Sequence, residues 1–332
     1  MKILIVANTN RGTYAPFVVA QAEALEREGV EVVWFGVVGH GVAGYLRNIP
    51  LLRKTIAKEK PDIVHAHYGL CGVVACMQLR SATLWSQRLH KCLWSQRLHK
   101  CLWSQRQVPV VTTYHGSDIN QKKARLLCRP ALRRSAVNIF VSQHLKELAG
   151  KCRNAIVQPC GIDLEQFPET PKPQARARMG LDVEGKYVLF CSAFDNPVKN
   201  APLAQEALRQ LPEATLVELK GYSRDEVALM MRAVDCLLMT SHSEGSPQVI
   251  KEALACGTPI VSVDVGDVAW LTEGVEGCWL AERNPDDIAW KLRQAINFSQ
   301  PTAGRRRIES LGIVNHTIAL KLKEIYEDTY RT

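Results

Sequence analysis

The chain lacks several features that would each assign it to a class. No run approaches the roughly 18 consecutive apolar residues that read as a membrane span, so a water-soluble chain is expected. Lys2 leads directly into the strand-like ILIVA, so no leader peptide is expected. The 11 cysteines include no C-x-x-C pair. An odd, scattered set suits a reducing cytoplasm better than a disulfide framework or a zinc site, and Cys236 and Cys256 sit in apolar surroundings. His65 and His67 alternate in VHAHYG without a matched third ligand, so no metal is expected. The loop after the first strand, NTNRGTY at 8–14, holds one glycine, Gly12, and is not G-x-G-x-x-G. No nicotinamide or other cofactor is expected.

What is present is a basic chain whose charge is unevenly divided. Of the net +9, residues 1–165 carry 23 Lys and Arg against 10 Asp and Glu, and residues 166–332 carry 19 against 23. The first half is therefore net +13 and attracts polyanions such as nucleic acid, an anionic membrane face or a phosphorylated acceptor. Its densest stretch, KKARLLCRPALRR at 122–134, interleaves leucines with six basic residues, and Pro130 is expected to break it into two short pieces. No aromatic-basic RNA motif or helix-turn-helix pattern accompanies the charge, so nucleic acid is not expected as a partner.

At 332 residues the length favours two domains. Apolar runs at 2–7, 31–35, 62–65, 109–113, 138–141 and 155–158, then at 187–192, 214–219, 235–239, 259–263 and 277–280, alternate with helical stretches such as 16–28, 202–210, 224–233 and 286–297. That alternation predicts parallel sheets covered on both faces. Periodicity lapses in the proline-rich 158–174, giving domains at 1–165 and 166–314, with ligands expected in a cleft between them. A final helix at 315–332 is a candidate to cross back to the first domain. One segment fits no such pattern. LWSQRLHKC at 84–92 recurs unchanged at 93–101 and begins again, a tandem insertion over 84–107.

The most informative segment is EGSPQVIKEALACGTPIV at 244–261. Ser246 is expected to cap a helix, Pro247 to fit its first turn, and Gly257 with Pro259 to end it. The N–H groups of Gln248 and Val249 then face an anion. Glu244 sits at the helix mouth and Glu252 farther in, able to accept hydrogen bonds from sugar or ribose hydroxyls. This is the layout of a nucleotide-sugar site.

With FDNPVKNAPLAQEAL at 194–208 and TYHGSD at 113–118, the segment resembles the E-x7-E signature of family 4 retaining glycosyltransferases, most closely those building bacterial surface polysaccharides. The resemblance implies the GT-B fold, two Rossmann-like doubly wound domains facing a cleft. It implies transfer from a nucleotide-sugar, with UDP preferred, to a glycan or lipid-linked acceptor, in the cytoplasm or on the inner face of the plasma membrane. Catalytic roles fall to His115 near the reacting sugar, Lys199 on the diphosphate and Glu244 on sugar hydroxyls. Donor binding falls to Gly12, Gly245, Ser246, Gln248, Val249, Glu252 on the ribose, and Gly266. Where the family commonly carries an arginine partner for the lysine, this chain has Ala193, leaving Arg224 or a first-domain residue to assist. The competing readings are a nucleotide-sugar epimerase or hydrolase of the same fold, a non-catalytic polyanion-binding protein, and an inactive scaffold.

Overall fold

The computed structural model describes residues 1–10, 12–77 and 108–331. The tandem insertion at 84–107 lies outside the described residues. Among those described, eleven strands form two sheets. The first sheet holds β1 (Lys2–Asn8), β2 (Glu31–Val37), β3 (Ile63–His67), β4 (Val110–Tyr114), β5 (Val137–Phe140) and β6 (Ala155–Val157), in the order β2-β1-β3-β4-β5-β6. The second holds β7 (Lys186–Phe190), β8 (Ala214–Glu218), β9 (Cys236–Met239), β10 (Ile260–Val263) and β11 (Cys278–Ala281), in the order β11-β10-β9-β7-β8. Every pairing is parallel. Parallel strands need crossovers, and crossover helices cover both faces. That is why ILIVA and CLLM read as unbroken apolar runs and are buried along their whole length.

The crossovers place helices around each sheet. In the first half these are α1 (Pro16–Arg27), α2 (Gly41–Leu46), α3 (Ile49–Glu59), α4 (Gly69–Met77), α5 (Lys122–Arg134) and α6 (Gln143–Ala149). The second half carries α7 (Lys172–Met179), α8 (Ala201–Leu208), α9 (Arg224–Ala233), α10 (Gln248–Cys256), α11 (Val268–Thr272), α12 (Pro285–Asn297), α13 (Gly304–Ser310) and α14 (Asn315–Arg331). Helix α5 corrects one expectation, because it is continuous through Pro130. The ring removes one N–H, but Cys128, Ala131 and Leu132 are buried on either side of it and hold both halves on one axis. The opposite face leaves Leu126 and Leu127 exposed among the basic residues. Among the described residues no helix is long and apolar enough to cross a membrane.

The chain divides into two compact units, Met1–Gln158 with Ala319–Thr332, and Pro159–Ile318. Within the first, the end of α14 is anchored by Tyr326, fully buried, whose Oη lies 2.5 Å from Nδ1 of His65 on β3. Lys323 Nζ adds a bond to the Glu28 carbonyl at 2.8 Å. Within the second, the entering and leaving segments pair as a bridge between Ile162 and Val314. A buried clamp fixes α7 to the sheet: Arg176 Nη2 reaches both Asp235 oxygens at 3.1 and 3.0 Å, and Asp235 also accepts the Tyr187 N–H at 2.7 Å.

Candidate active site

In a doubly wound sheet the strand order reverses at one place, and the loops leaving the two central strands splay apart there to form a crevice. In the second unit the reversal lies between β7 and β9. The loop after β7 carries Lys199 on a 3-10 turn, Pro197–Lys199, whose start is capped by Asn196 accepting the Val198 N–H. The loop after β9 carries Glu244. The two meet: Lys199 Nζ lies 2.7 Å from Glu244 Oε1, with both side chains mostly shielded from solvent. Thr240 Oγ1 donates to the carbonyls of Lys199 and Asn200 at 2.9 Å, joining the loops a second time.

Gly245 is backed by Gly266, in the loop after β10. At φ +67°, Gly266 has a left-handed backbone, and a Cβ there would stand 2.9 Å from the Gly245 carbonyl oxygen and 3.1 Å from Glu244 Cβ. Only glycine permits that approach, so it sets the position of the Glu244 backbone.

Helix α10 opens at Gln248, with Pro247 as its N-cap and no side-chain cap. This corrects the expected roles of Ser246 and Pro247. The extended Pro247 backbone puts Ser246 one residue outside the cap, and its Oγ is turned inward, where it finds no hydrogen-bond partner among the described residues. The first N–H groups of α10, Gln248 and Val249, have no intrahelical acceptor, and the N-cap residue, Pro247, has no side-chain oxygen to offer them. Gln248 Nε2 holds the Gly161 carbonyl at 3.1 Å. Glu252 lies one turn farther in, nearly buried, 3.7 Å from Arg224 Nη1 on α9. Burial raises its carboxyl above the usual range, while Arg224 and Lys251 oppose that shift. Arg224 therefore stands beside Glu252, where it also donates to Gln166 Oε1 at 2.5 Å.

Two residues in this region were not anticipated. Lys251 is fully buried, its ammonium bonded to the Cys160 carbonyl at 2.7 Å, and burial lowers its pKa. Asp267 follows Gly266 and is nine-tenths buried. Neither of its carboxylate oxygens has a hydrogen-bond partner among the described residues. Burial pushes its pKa to about 6, opposed by the attraction of Lys251 and by nearby Ser246 and reinforced by Glu244. Lys251 was signalled by a charge in a helix of which seven of nine residues are buried.

The first unit holds His115 and Gly12. Its strand order reverses between β1 and β3, and a cavity of about 740 Å³ opens there, lined by Asn8, Asn10, Tyr14, Phe17, Tyr45 and Tyr68 among others. Gly12, at φ +84°, lies in the loop that forms its edge. Asn10 is fixed by a reciprocal pair of 2.7 Å bonds with the Gly39 backbone. Gly39 opens the segment GHGVAG at 39–44, which has the spelling of a dinucleotide turn but follows the second strand.

His115, half-buried, packs against Phe17 and Tyr68 with ring centroids 4.8 and 4.7 Å away. Its Nε2 lies 3.1 Å from Nδ1 of His67, which in turn stacks on His65 at 4.4 Å. His65 is bonded at both nitrogens, by Tyr326 and by Thr113 Oγ1 at 2.7 Å. Burial lowers His67 to about 3 and His65 well below the ordinary value, so both are neutral at physiological pH. Asp118 caps not the helix that follows it but α4: its carboxylate accepts from Gly69 N and Gly116 N, each at 2.9 Å. Those bonds fix the loop bearing His115.

Comparison with known proteins agrees with this geometry. Residues 14–166 match the profile of Glycosyltransferase Family 4, and residues 185–297 that of Glycosyl transferases group 1. The chain belongs to glycosyltransferase family 4.

A Bacillus subtilis protein named as a teichuronic acid biosynthesis glycosyltransferase, TuaC, is 28% identical over 64% of this chain and 55% of its own length. A D-inositol 3-phosphate glycosyltransferase of Mycolicibacterium gilvum is 26% identical over 75% of this chain and 61% of its own. The matches thus span little more than half of these relatives. Sucrose-phosphate synthase from Thermosynechococcus elongatus shares the fold at TM-score 0.80 and 17% identity, over 100% of this chain and 99% of that one. Anabaena HepE, solved with UDP and glucose, does so at TM-score 0.73 and 19% identity, over 98% and 99%. The fold is therefore GT-B, with a six-stranded and a five-stranded parallel sheet.

Proposed function

We propose that the chain transfers a sugar from a nucleotide-sugar, with UDP preferred, to a glycan or lipid-linked acceptor in bacterial surface polysaccharide synthesis, with retention of anomeric configuration. The observation that carries this is the Lys199–Glu244 pair, on the loop that leads into the N-terminus of α10. The donor diphosphate takes the Gln248 and Val249 N–H groups and draws Lys199 toward itself. Glu244, Gly245 and Ser246 receive the sugar, and Glu252 holds the ribose. As the anomeric C–O bond breaks, its electron pair goes to the phosphate oxygen, where Lys199 and the helix dipole meet the developing charge. The acceptor hydroxyl attacks from the same face and gives its proton to a donor phosphate oxygen. His115 accepts or donates a hydrogen bond at the reacting sugar, and the aromatic cavity edged by Gly12 takes the acceptor.

A second surface supports a reading of where this happens. Leu126 and Leu127 are exposed on α5 among Lys122, Lys123, Arg129 and Arg133, a pattern suited to an anionic membrane face carrying a lipid-linked acceptor.

The test is nucleotide release from UDP-, GDP- and ADP-sugars, with and without a bacterial lipid extract, beside Glu244→Ala. Acceptor-dependent release from one donor, lost in the variant, is expected. Release without acceptor would favour the epimerase or hydrolase, and silence on every donor would favour a scaffold. Binding to anionic vesicles that falls with salt, and falls further in Leu126→Glu/Leu127→Glu, is expected of the membrane reading.

A further inference from the structure

Among the described residues other than glycine, four have a left-handed backbone, and Tyr68, at φ +73°, is the aromatic one. Asn154 and Asn200 tolerate that region and Lys60 ends a helix in it, whereas a bulky side chain there is a costly outlier. The glycine beside it gives no relief. A Cβ on Gly69 would collide with Cys128 Sγ, so that glycine is used to pack α4 on α5. Tyr68 is held in place by its N–H bond to the Thr113 carbonyl at 2.8 Å and by the Gly72 N–H on its own carbonyl at 3.0 Å. What this backbone secures is the ring, which packs 4.7 Å from the His115 ring and lines the 740 Å³ cavity.

The other aromatic rings of that cavity are also held from behind. Tyr14 packs on Trp34 at 4.4 Å, Tyr45 is bonded to Asn8, and Phe17 packs on His115. Among the described residues the lining holds no Lys, Arg or His, and its one charged side chain is Asp118. That carboxylate already takes the Gly69 N–H at the start of α4 and the Gly116 N–H, two donors that an anion would otherwise use. A phosphate or carboxylate would meet a buried negative charge and no cation there. A sugar ring fits instead. Its C–H faces carry slight positive charge and lie on the negative faces of aromatic rings, and exposed Thr13 and Ser117 can meet hydroxyls at its edge.

We propose that this cavity takes an uncharged pyranose, the terminal sugar of the acceptor, and that Tyr68 is the ring on which it lies beside His115. The inference deepens the acceptor assignment given above and rests on it. It commits the acceptor to a neutral saccharide, against a phosphorylated or uronate ring.

The test begins without donor, by saturation-transfer NMR with methyl glycosides of glucose, galactose, mannose and N-acetylglucosamine, and with glucose 6-phosphate, inositol phosphate and glucuronate. Wild type is expected to bind at least one neutral glycoside and none of the charged rings. Tyr68→Asn removes the ring and keeps a residue that accepts the left-handed backbone; thermal unfolding checks that it folds. It should weaken the neutral glycoside, and raise acceptor KM, about tenfold or more, with donor KM unchanged, whereas Tyr68→Phe keeps most of both. A lower KM for N-acetylglucosamine on a polyprenyl diphosphate than for its methyl glycoside marks a lipid-linked source, and equal values a free glycan. In either case the loss in Tyr68→Asn supports the cavity assignment. Tighter binding of a charged ring, no binding of any neutral glycoside, or a fall in kcat with acceptor KM unchanged would each overturn the inference. Should Tyr68→Asn not fold, the wild-type panel still decides between neutral and charged rings. Glycoside binding with no nucleotide-sugar turned over would overturn the transfer reading instead, so the two failures are distinguishable.

Discussion

Lys199 and Glu244, on the loops after β7 and β9, close into an ion pair at 2.7 Å across the point where the strand order reverses. Under the proposed function the pair joins the phosphate-binding cation to the sugar-binding anion. Lys199→Ala is expected to lower kcat about a hundredfold to a thousandfold, the loss typical of one preorganised contact to developing charge. Glu244→Ala should abolish most transfer. The double variant should lose far less than the product of the two, because each single change already breaks the pair. Steady-state kinetics of the three variants give the coupling directly.

Glu252 and Arg224 form a looser pair on the ribose side. Glu252→Ala is expected to raise KM for the donor while leaving kcat within a few-fold, since the ribose contact is the same in ground and transition states. Calorimetric titration with UDP should show the same loss of affinity. A fall in kcat with unchanged KM would assign Glu252 to the reaction centre.

Asp267 makes stability pH-dependent. Its folded-state pKa, about 6 against an ordinary 3.8, is raised, so its favourable contribution is present below about pH 4 and lost as pH rises through about 6. The change corresponds to about 3 kcal/mol. Asp267→Asn, which cannot ionise, should therefore gain stability relative to wild type as pH rises from 4 to 7.5 in the absence of ligand. Urea unfolding at each pH measures the difference between the two proteins, which should shrink toward zero near pH 4.

Tyr326→Phe removes the phenol from His65 and leaves a buried imidazole nitrogen unpaired, a loss of about 1–3 kcal/mol. The midpoint of thermal unfolding should fall accordingly. Tyr326→Ala adds a cavity and should cost about 3–5 kcal/mol in all.

Much of this was legible in the sequence, and for identifiable reasons. All eleven strands coincide with apolar runs, most plainly the central ones such as β3, β4 and β9, which are covered on both faces and have no polar side to dilute the signal. The glycine and proline punctuation around 244–261 located α10, with Gly257 at its left-handed C-cap. The same reading failed where the deciding contact is tertiary. Ser246 has the spelling of a cap, yet Pro247 sits between it and the helix. Pro130 has the spelling of a break, yet buried neighbours on both sides override it. Asp118 caps a helix that precedes it by 49 residues, a bond that no local spacing encodes. Asp267 looked like any loop aspartate, because no local spacing shows that it is buried.

The bond between His65 and Tyr326 spans 261 positions of chain. Synthesis at roughly 5–20 residues per second puts on the order of ten to fifty seconds between the emergence of one partner and the other. The second unit, contiguous from Pro159 to Ile318, is complete before the first. The first must wait with its seat for Leu322 and Tyr326 uncovered, although its residues left the ribosome earlier. Order of birth and order of completion are thus reversed in this protein. The earlier-born unit is the one exposed for longer to chaperones, proteases and its own neighbours on a polysome.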